Sequence, residues 1–400
     1  MGYYFSVYPN NLLLVWIYSI VLKLNDVIGT PIANGTMLLA LFQCIFVTGA
    51  GACLYKTVRH FADQKIAWIA YGFYFILGGL SAWIMIPYSD STGIIFPVFL
   101  FWLYVKLKET ESAKKKCVLL FLMFFLCYIG FEIKPMAAIV MIAVAAVEGI
   151  HFIGKLLKKQ IVWKKSVLAC CLSAVLGIGA AAGGVSAVVG SLHFPVVTDT
   201  VLGWQHHMML GLNKDTNGGY SQADFDYSTS FSSVEEQHAA ELKEIGKRLK
   251  DFGVGGYLQH FVKKSARNYF DGCFGWGGLG ETFYTEIFPE RGTVLCSLIR
   301  SLYYDNTEDT LYRYPALFRQ ILWYMVLVLV PFSVFTKRPL DKKRQVAVLS
   351  VLGLMLYLQI FEAHARYLYT FVPIFVFLAT EGIDNLREYL NQKSERRVKK

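Results

Sequence analysis

The sequence predicts an all-α fold: a polytopic transmembrane helical bundle of about nine spans, with a mainly helical external loop domain. Three observations carry that prediction. Hydrophobic residues make up 55% of the 400 residues and charged ones only 17%, too thin a coat for a water-soluble chain of this size. The apolar residues come in blocks, several of them about 18 residues or longer, the length a helix needs to cross the hydrocarbon core. Basic residues cluster between the blocks, the pattern of short loops held on the cytoplasmic side.

The blocks are 33–55, 64–86, 91–107, 117–132, 134–154, 166–190, 317–335, 345–362 and 366–386. Each is read as a helix, because a chain in lipid must satisfy its own backbone hydrogen bonds. The segments 91–107 and 117–132 are short, and Trp102, Tyr104 and Tyr128 suit them as interfacial anchors. Segment 11–24 is also apolar, but counting it as a span inverts every later basic loop. It is therefore expected to be a re-entrant or interfacial helix beginning at Pro9, Asn10 and Asn11. The rival expectation is a short span with the amino terminus inside.

The basic clusters are Lys56, Arg59 and Lys65, then Lys106, Lys108, Lys114, Lys115 and Lys116. Next come Lys155, Lys158, Lys159, Lys164 and Lys165, then Lys337, Arg338, Lys342, Lys343 and Arg344, and last the tail from Arg387 to Lys400. With all of them inside, the spans alternate without conflict. The chain then divides into a membrane region at 1–190, an extracytoplasmic loop domain at 191–316, a second membrane region at 317–386 and a basic cytoplasmic tail at 387–400. The expected location is the cell membrane. The net charge of +10 thus reflects topology and attraction to anionic lipid, not nucleic-acid binding.

Six cysteines, Cys44, Cys53, Cys117, Cys127, Cys170 and Cys171, lie in or beside spans and read as small apolar residues. Cys273 and Cys296 fall in the outer loop, where a disulfide and two free thiols both suit the spacing. No cysteine has metal-ligand spacing. His206 and His207 are adjacent, point different ways and have no acidic partner at ligand spacing, so neither a metal nor a cofactor is expected.

In the loop, acidic residues outnumber basic ones. Ser233 and Glu236 form a capping-box pattern that opens a helix with Val234, Leu242, Ile245, Leu249 and Phe252 on one face. Gly253 is the expected C-terminal cap, and a second helix is expected over 256–269. Around them lie aromatic and glycine-rich stretches at 204–207, 211–213, 217–220 and 271–278. Tyr and Trp faces there suit sugar rings, and Asn, Asp and His supply hydrogen bonds. The plainer reading is a small packed cap with tight glycine turns.

The short outer turns hold Pro87, Tyr88, Ser89 and Asp90; Glu132, Ile133, Lys134 and Pro135; and Glu362, Ala363, His364, Ala365, Arg366 and Tyr367. Ionisable groups at a membrane boundary point to a functional site. The alternative is two ordinary boundary ion pairs, Glu132 with Lys134 and Glu362 with Arg366.

These residues resemble the integral-membrane glycosyltransferases of the GT-C fold, which include protein mannosyltransferases and bacterial enzymes using polyprenyl-phosphate sugars. Tyr8-Pro9-Asn10-Asn11 looks like the Pro-containing end of the family's first external loop. Tyr88-Ser89-Asp90, followed by Phe96, looks like its Tyr-Thr/Ser-acid motif, and Ile133-Lys134-Pro135 like the Lys-Pro turn of Gram-positive members. The run from His207 to Asn213, with Gly219-Tyr220, resembles the long-loop signature. Glu362 through Arg366-Tyr367, with Pro373 in the last span, resembles the terminal Glu-x-x-x-Arg-Tyr element. The family has one more span and an acidic first external loop before the Tyr-Pro element, and both are expected to be missing from this chain.

The resemblance implies sugar transfer from a polyprenyl-phosphate donor to an extracytoplasmic glycan, cell-wall polymer, lipid or protein. It implies Asp90 as the catalytic carboxylate, acting as base, and Lys134 and Arg366 as phosphate ligands. Tyr88, Glu132, Glu362, His364 and Tyr367 are then supporting groups, and His207, Asn213 and Tyr220 contact sugar or acceptor. The implied partners are membrane lipid, the lipid-linked sugar and the acceptor. Rival classes are a transporter or flippase, which would show internal repeats and polar broken helices, and a non-catalytic membrane scaffold. A glycan polymerase or ligase, needing similar groups in a large external loop, is a closer rival.

Overall fold

The structure, a computed structural model, describes residues 2–28, 35–159, 165–193, 199, 201–278, 292–304, 311–335 and 340–398. Its described residues contain helices and no strand. The first part runs α1 (Gly2–Val7), α2 (Leu12–Ile28), α3 (Gly35–Phe61), α4 (Gln64–Tyr74), α5 (Ser89–Gly93) and α6 (Ile95–Glu109). Then follow α7 (Ala113–Ile133), α8 (Ile139–Leu157) and α9 (Lys165–Gly190). The loop region contributes α10 (Trp204–Gly211), α11 (Gln222–Thr229), α12 (Val234–Tyr269) and α13 (Val294–Tyr303). The last part is α14 (Arg313–Leu329), α15 (Lys342–Ile360), α16 (Arg366–Tyr369) and α17 (Val372–Val398).

Among the described residues, seven helical segments are long and apolar enough to cross a membrane: Gly35–Phe61, Ser89–Glu109, Ala113–Ile133, Pro135–Leu157, Val167–Gly190, Arg313–Ser333 and Lys342–Ile360. Segment 64–86 differs from expectation. Its helix ends at Tyr74, passes through a wide turn over Phe75–Gly79, and restarts after Ser81 as a short 3-10 turn at Ala82–Met85. The last apolar block is split by the short α16 and then merges into the charged tail as α17.

Polar residues in the linkers set where helices start. Asp63 accepts from Ile66 N at the head of α4, Ser112 from Lys115 N at α7, and Asp341 from Arg344 N at α15. Each satisfies an amide that the helix leaves unpaired. Lys164, Lys337, Arg338, Lys399 and Lys400 lie outside the described residues.

The core centres on α17. Phe371, Val372 and Ile374 through Ala379 are all buried, and they pack against residues of α3, α6 and α14. A helix apolar on every side belongs in the middle of a bundle. By contrast α9 leaves Leu168, Leu172, Val175 and Leu176 exposed, and it packs mainly on α7. These two form the periphery.

Contacts between helix ends define two opposite poles. At one, His60 meets Glu109 at 2.7 Å, Lys108 and Lys342 meet Glu148 at 2.9 and 2.8 Å, and Arg344 pairs with Glu381. This pole collects the basic ends of α3, α6, α8, α15 and α17. The other pole holds Asp90, Lys134, Glu362 and Arg366. Tyr4 and Tyr8, which precede α2, stand at this second pole, and Leu22 within α2 lies against Gly35 at the start of α3.

The loop helix α12 breaks where the sequence expects it, at Gly253, whose φ of 55° is a left-handed value suited to glycine. Ser233 Oγ accepts from Glu236 N at 3.2 Å, but the Glu236 carboxylate reaches Ser232 Oγ at 3.0 Å. Of the expected apolar face, Ile245 and Phe252 pack against Met209 and Leu212, while Leu242 and Leu249 are exposed. Cys273 and Cys296 are free thiols.

Candidate functional site

A cavity of about 760 Å³ opens at the second pole, and the turns that follow or precede the spans form its walls. Asp90 lies one residue into α5, Lys134 caps α7, and Arg366 starts α16. Their placement follows from local rules: Pro135 forces the end of α7 at the preceding residue, and the extended Phe361 ends α15 just before the 362–365 turn.

The three groups converge. Lys134 Nζ donates to Asp90 Oδ1 at 2.5 Å, and Arg366 Nε stands 3.4 Å from Asp90 Oδ2. Asp90 is 1% exposed and Lys134 6%. A buried carboxylate with two cations is the arrangement that keeps all three charges tolerable out of water. The two boundary pairs considered from sequence are therefore not those that form. Lys134 pairs with Asp90 rather than Glu132. Glu362 accepts from the Tyr367 hydroxyl at 2.8 Å and lies 3.6 Å from His207 Nδ1, not against Arg366.

Arg366 is held by faces rather than by hydrogen bonds. Its guanidinium lies 5.2 Å from the Trp83 ring and 4.9 Å from the Tyr88 ring. Among the described residues its side chain donates no hydrogen bond, and its Nε is buried without one. The half-buried guanidinium, with five N–H groups, thus has one carboxylate oxygen within 4 Å, and it lines the cavity.

A support shell holds Trp83 in place. Its indole N–H donates to Phe274 O at 3.1 Å. The turn carrying Phe274 is tied by Asp271, which accepts from Cys273 N and Gly275 N. Gly275 has a φ of 79° and packs against His364, so a side chain there would meet the imidazole. His364 Nδ1 in turn accepts from Arg366 N at 3.2 Å. Tyr18 of α2 closes the other side, bonding Tyr88 O at 3.2 Å and Thr92 Oγ1 at 3.0 Å.

The loop region is locked to the strap between α15 and α16 by a buried lysine. Lys264 Nζ donates to Gly211 O at 2.8 Å and to Gln359 O at 2.9 Å, and Ala363 N donates to Gly218 O. Burial, opposed only by the Glu362 charge, pulls the Lys264 amine down to about 7. Burial raises Glu362, but the nearby His207, the Tyr367 hydroxyl and His364 outweigh it and hold the carboxyl at about 2. Burial and the Arg366 charge press His364 down to about 4. Burial and the His207 charge bring His206, which bonds Ser228 Oγ at 2.7 Å, to about 4 as well.

Of the residues singled out from sequence, Tyr88, Asp90, Lys134, His207, Tyr220, Glu362, Arg366 and Tyr367 all line this cavity. Three others do not. Glu132 is not among the residues that line it. His364 sits behind Arg366 against Gly275. Asn213 ties its own turn, accepting from Asp215 N and Thr216 N and donating to Asp224 at 2.9 Å. Tyr4, Tyr18 and Tyr357 are wall residues that sequence reasoning passed over, as it did Trp83, which lies against Arg366. Their aromatic side chains at a membrane boundary were the available signal, shared with many aromatics elsewhere in the chain. Among the described residues no cluster of His, Cys, Asp and Glu could hold a metal ion.

The fold and this cavity define a polytopic α-helical membrane protein with a buried, ion-paired site at one pole of the bundle. The chain belongs to the family described as "Conserved hypothetical integral membrane protein", whose model matches residues 1–385. No curated protein matches the chain, and no solved structure matches it.

Proposed function

We propose that this protein transfers a sugar from a polyprenyl-phosphate-linked donor to an acceptor hydroxyl in the Asp90 cavity, on the extracytoplasmic side of the cell membrane. The observation that carries the reading is the meeting of Asp90, Lys134 and Arg366 from three separate elements on one cavity. Next to that charged centre, Leu14, Val15, Ile133 and Met136 give the cavity an apolar wall suited to a prenyl chain.

The chemistry follows from the charges. Donor phosphate competes with Asp90 for the N–H groups of Lys134 and Arg366. Arg366 offers a planar fork and Lys134 a point charge. The displaced Asp90 carboxylate accepts the acceptor hydroxyl's proton as the new O–C1 bond forms. The bond from C1 to the phosphate oxygen breaks, and the electron pair stays on the polyprenyl phosphate, whose charge the two cations stabilise. Glu362, His207 and Tyr220 face the same space and serve the sugar or acceptor. No metal or cofactor is needed for this balance.

The test is release of polyprenyl phosphate from a polyprenyl-phosphate hexose by the full chain in liposomes with an acceptor glycan. Arg366→Ala is expected to cut release by about 100-fold or more, with membrane insertion intact. Equal release by Arg366→Ala and the unsubstituted chain would remove the phosphate role.

A further inference from the structure

At the basic pole a second cavity, of about 530 Å³, opens between helices of the membrane region. Helix α7 packs on α6 and α9, whereas α8 packs on α6 and α15. The two therefore part, and α6 floors the crevice between them. Its depth is hydrocarbon: Leu120, Met123 and Phe124 from α7 face Met141, Val144 and Ala145 from α8. Its mouth is polar, with Lys108, Lys116 and Glu148. From Lys116 to Met123 is seven residues of helix, on the order of 10 Å.

The charge at the mouth is unbalanced. Glu148 is saturated, accepting from Tyr104 at 2.6 Å, Lys108 at 2.9 Å and Lys342 at 2.8 Å. Two lysines thus share one carboxylate. Lys116 adds a further positive charge and forms no ion pair among the described residues. A crevice of this form, apolar inside the bundle and cationic where the bundle ends, matches a membrane lipid with an anionic head.

We infer that the α6–α7–α8 crevice is a binding site for an anionic phospholipid, with an acyl chain between α7 and α8 and the phosphate at Lys116 and Lys108. Removing a crevice of this size from contact with water or void is itself favourable, and the lysines select the head group. The crevice lies at the opposite pole from Asp90, so the inference stands apart from the sugar-transfer reading.

Native mass spectrometry of the full chain with added phosphatidylglycerol and phosphatidylcholine of identical acyl chains tests it. One phosphatidylglycerol is expected to be retained in preference to phosphatidylcholine. Lys116→Gln should weaken that preference by about fivefold, the scale of one lysine near an anionic surface. Ala145→Trp, which fills the crevice, should lower retention of both lipids. Lys158→Gln, at the same pole but outside the lining, should change neither. Equal retention of the two lipids would remove the head-group selection, and equal losses in Lys116→Gln and Lys158→Gln would replace the site with diffuse attraction. Retention unchanged by Ala145→Trp would overturn it as well.

Discussion

Arg366 and Lys134 show how partners are chosen at the scale of single residues. Each has an acid close by in sequence, yet both turn to Asp90, which lies 44 residues from Lys134 along the chain. The nearest acids are taken elsewhere: Glu362 by Tyr367 and His207. Buried titratable groups around the cavity also set an acid sensitivity. His206 and His364 are held at about 4, below their ordinary 6.5. The unfolded chain therefore takes up protons between pH 6.5 and 4 that the folded chain refuses, and stability falls as pH falls through that window. Glu362, held at about 2 instead of 4.5, adds a second loss between pH 4.5 and 2. A displacement of this size is worth up to about 3 kcal/mol per group. Thermal melting in detergent is expected to drop from pH 7 to pH 4, and His364→Asn should flatten part of that drop. Identical pH slopes for the two proteins would show that His364 is not among the groups responsible.

Among the elements, the glycine-rich stretch of α9 shows what sequence pattern leaves undecided. A run of small residues promises a close helix approach. In the structure that approach is made at Gly177, where an added Cβ would stand 2.5 Å from Phe121 O of α7. Gly179, Gly183, Gly184 and Gly190 meet nothing. The same helix pair sets Cys117 Sγ 3.9 Å from Cys170 Sγ. Mild oxidation is expected to join these two thiols. Gly177→Val, which pushes α7 and α9 apart at a cost of about 1–3 kcal/mol, should reduce the yield several-fold. A yield equal to that of the unsubstituted chain would mean that the contact at Gly177 does not set the helix spacing. Segment 64–86 makes the complementary point. Its hydropathy is that of a span, but its backbone breaks near Leu80 and Ser81, and the 3-10 turn that follows delivers Trp83 under Arg366.

The two poles of the whole molecule agree with the charge pattern of its linkers. Lysine-rich linkers from far-apart parts of the sequence meet at one end, and the Asp90 cavity lies at the other. If the basic pole faces the cytoplasm, an impermeant thiol reagent on intact cells should label Tyr220→Cys and spare Asp341→Cys, in a chain freed of its native cysteines. Labelling at position 341 with protection at 220 would reverse the orientation.

Hydropathy and linker charge alone were enough to define an all-helical membrane bundle, the approximate bounds of most of its spans and the boundary turns that hold its ionisable residues. Those properties add up locally, over stretches of one helix or one loop, so they can be read without knowing what packs on what. Which acid meets which base was decided only by the tertiary structure, as were the break in 64–86, the place of Trp83 and the opening of the lysine-rimmed crevice. Each of these depends on the direction in which a side chain or a helix end points once several elements pack together, and a one-residue rotation of a helix changes that direction by about 100° while leaving its hydropathy the same.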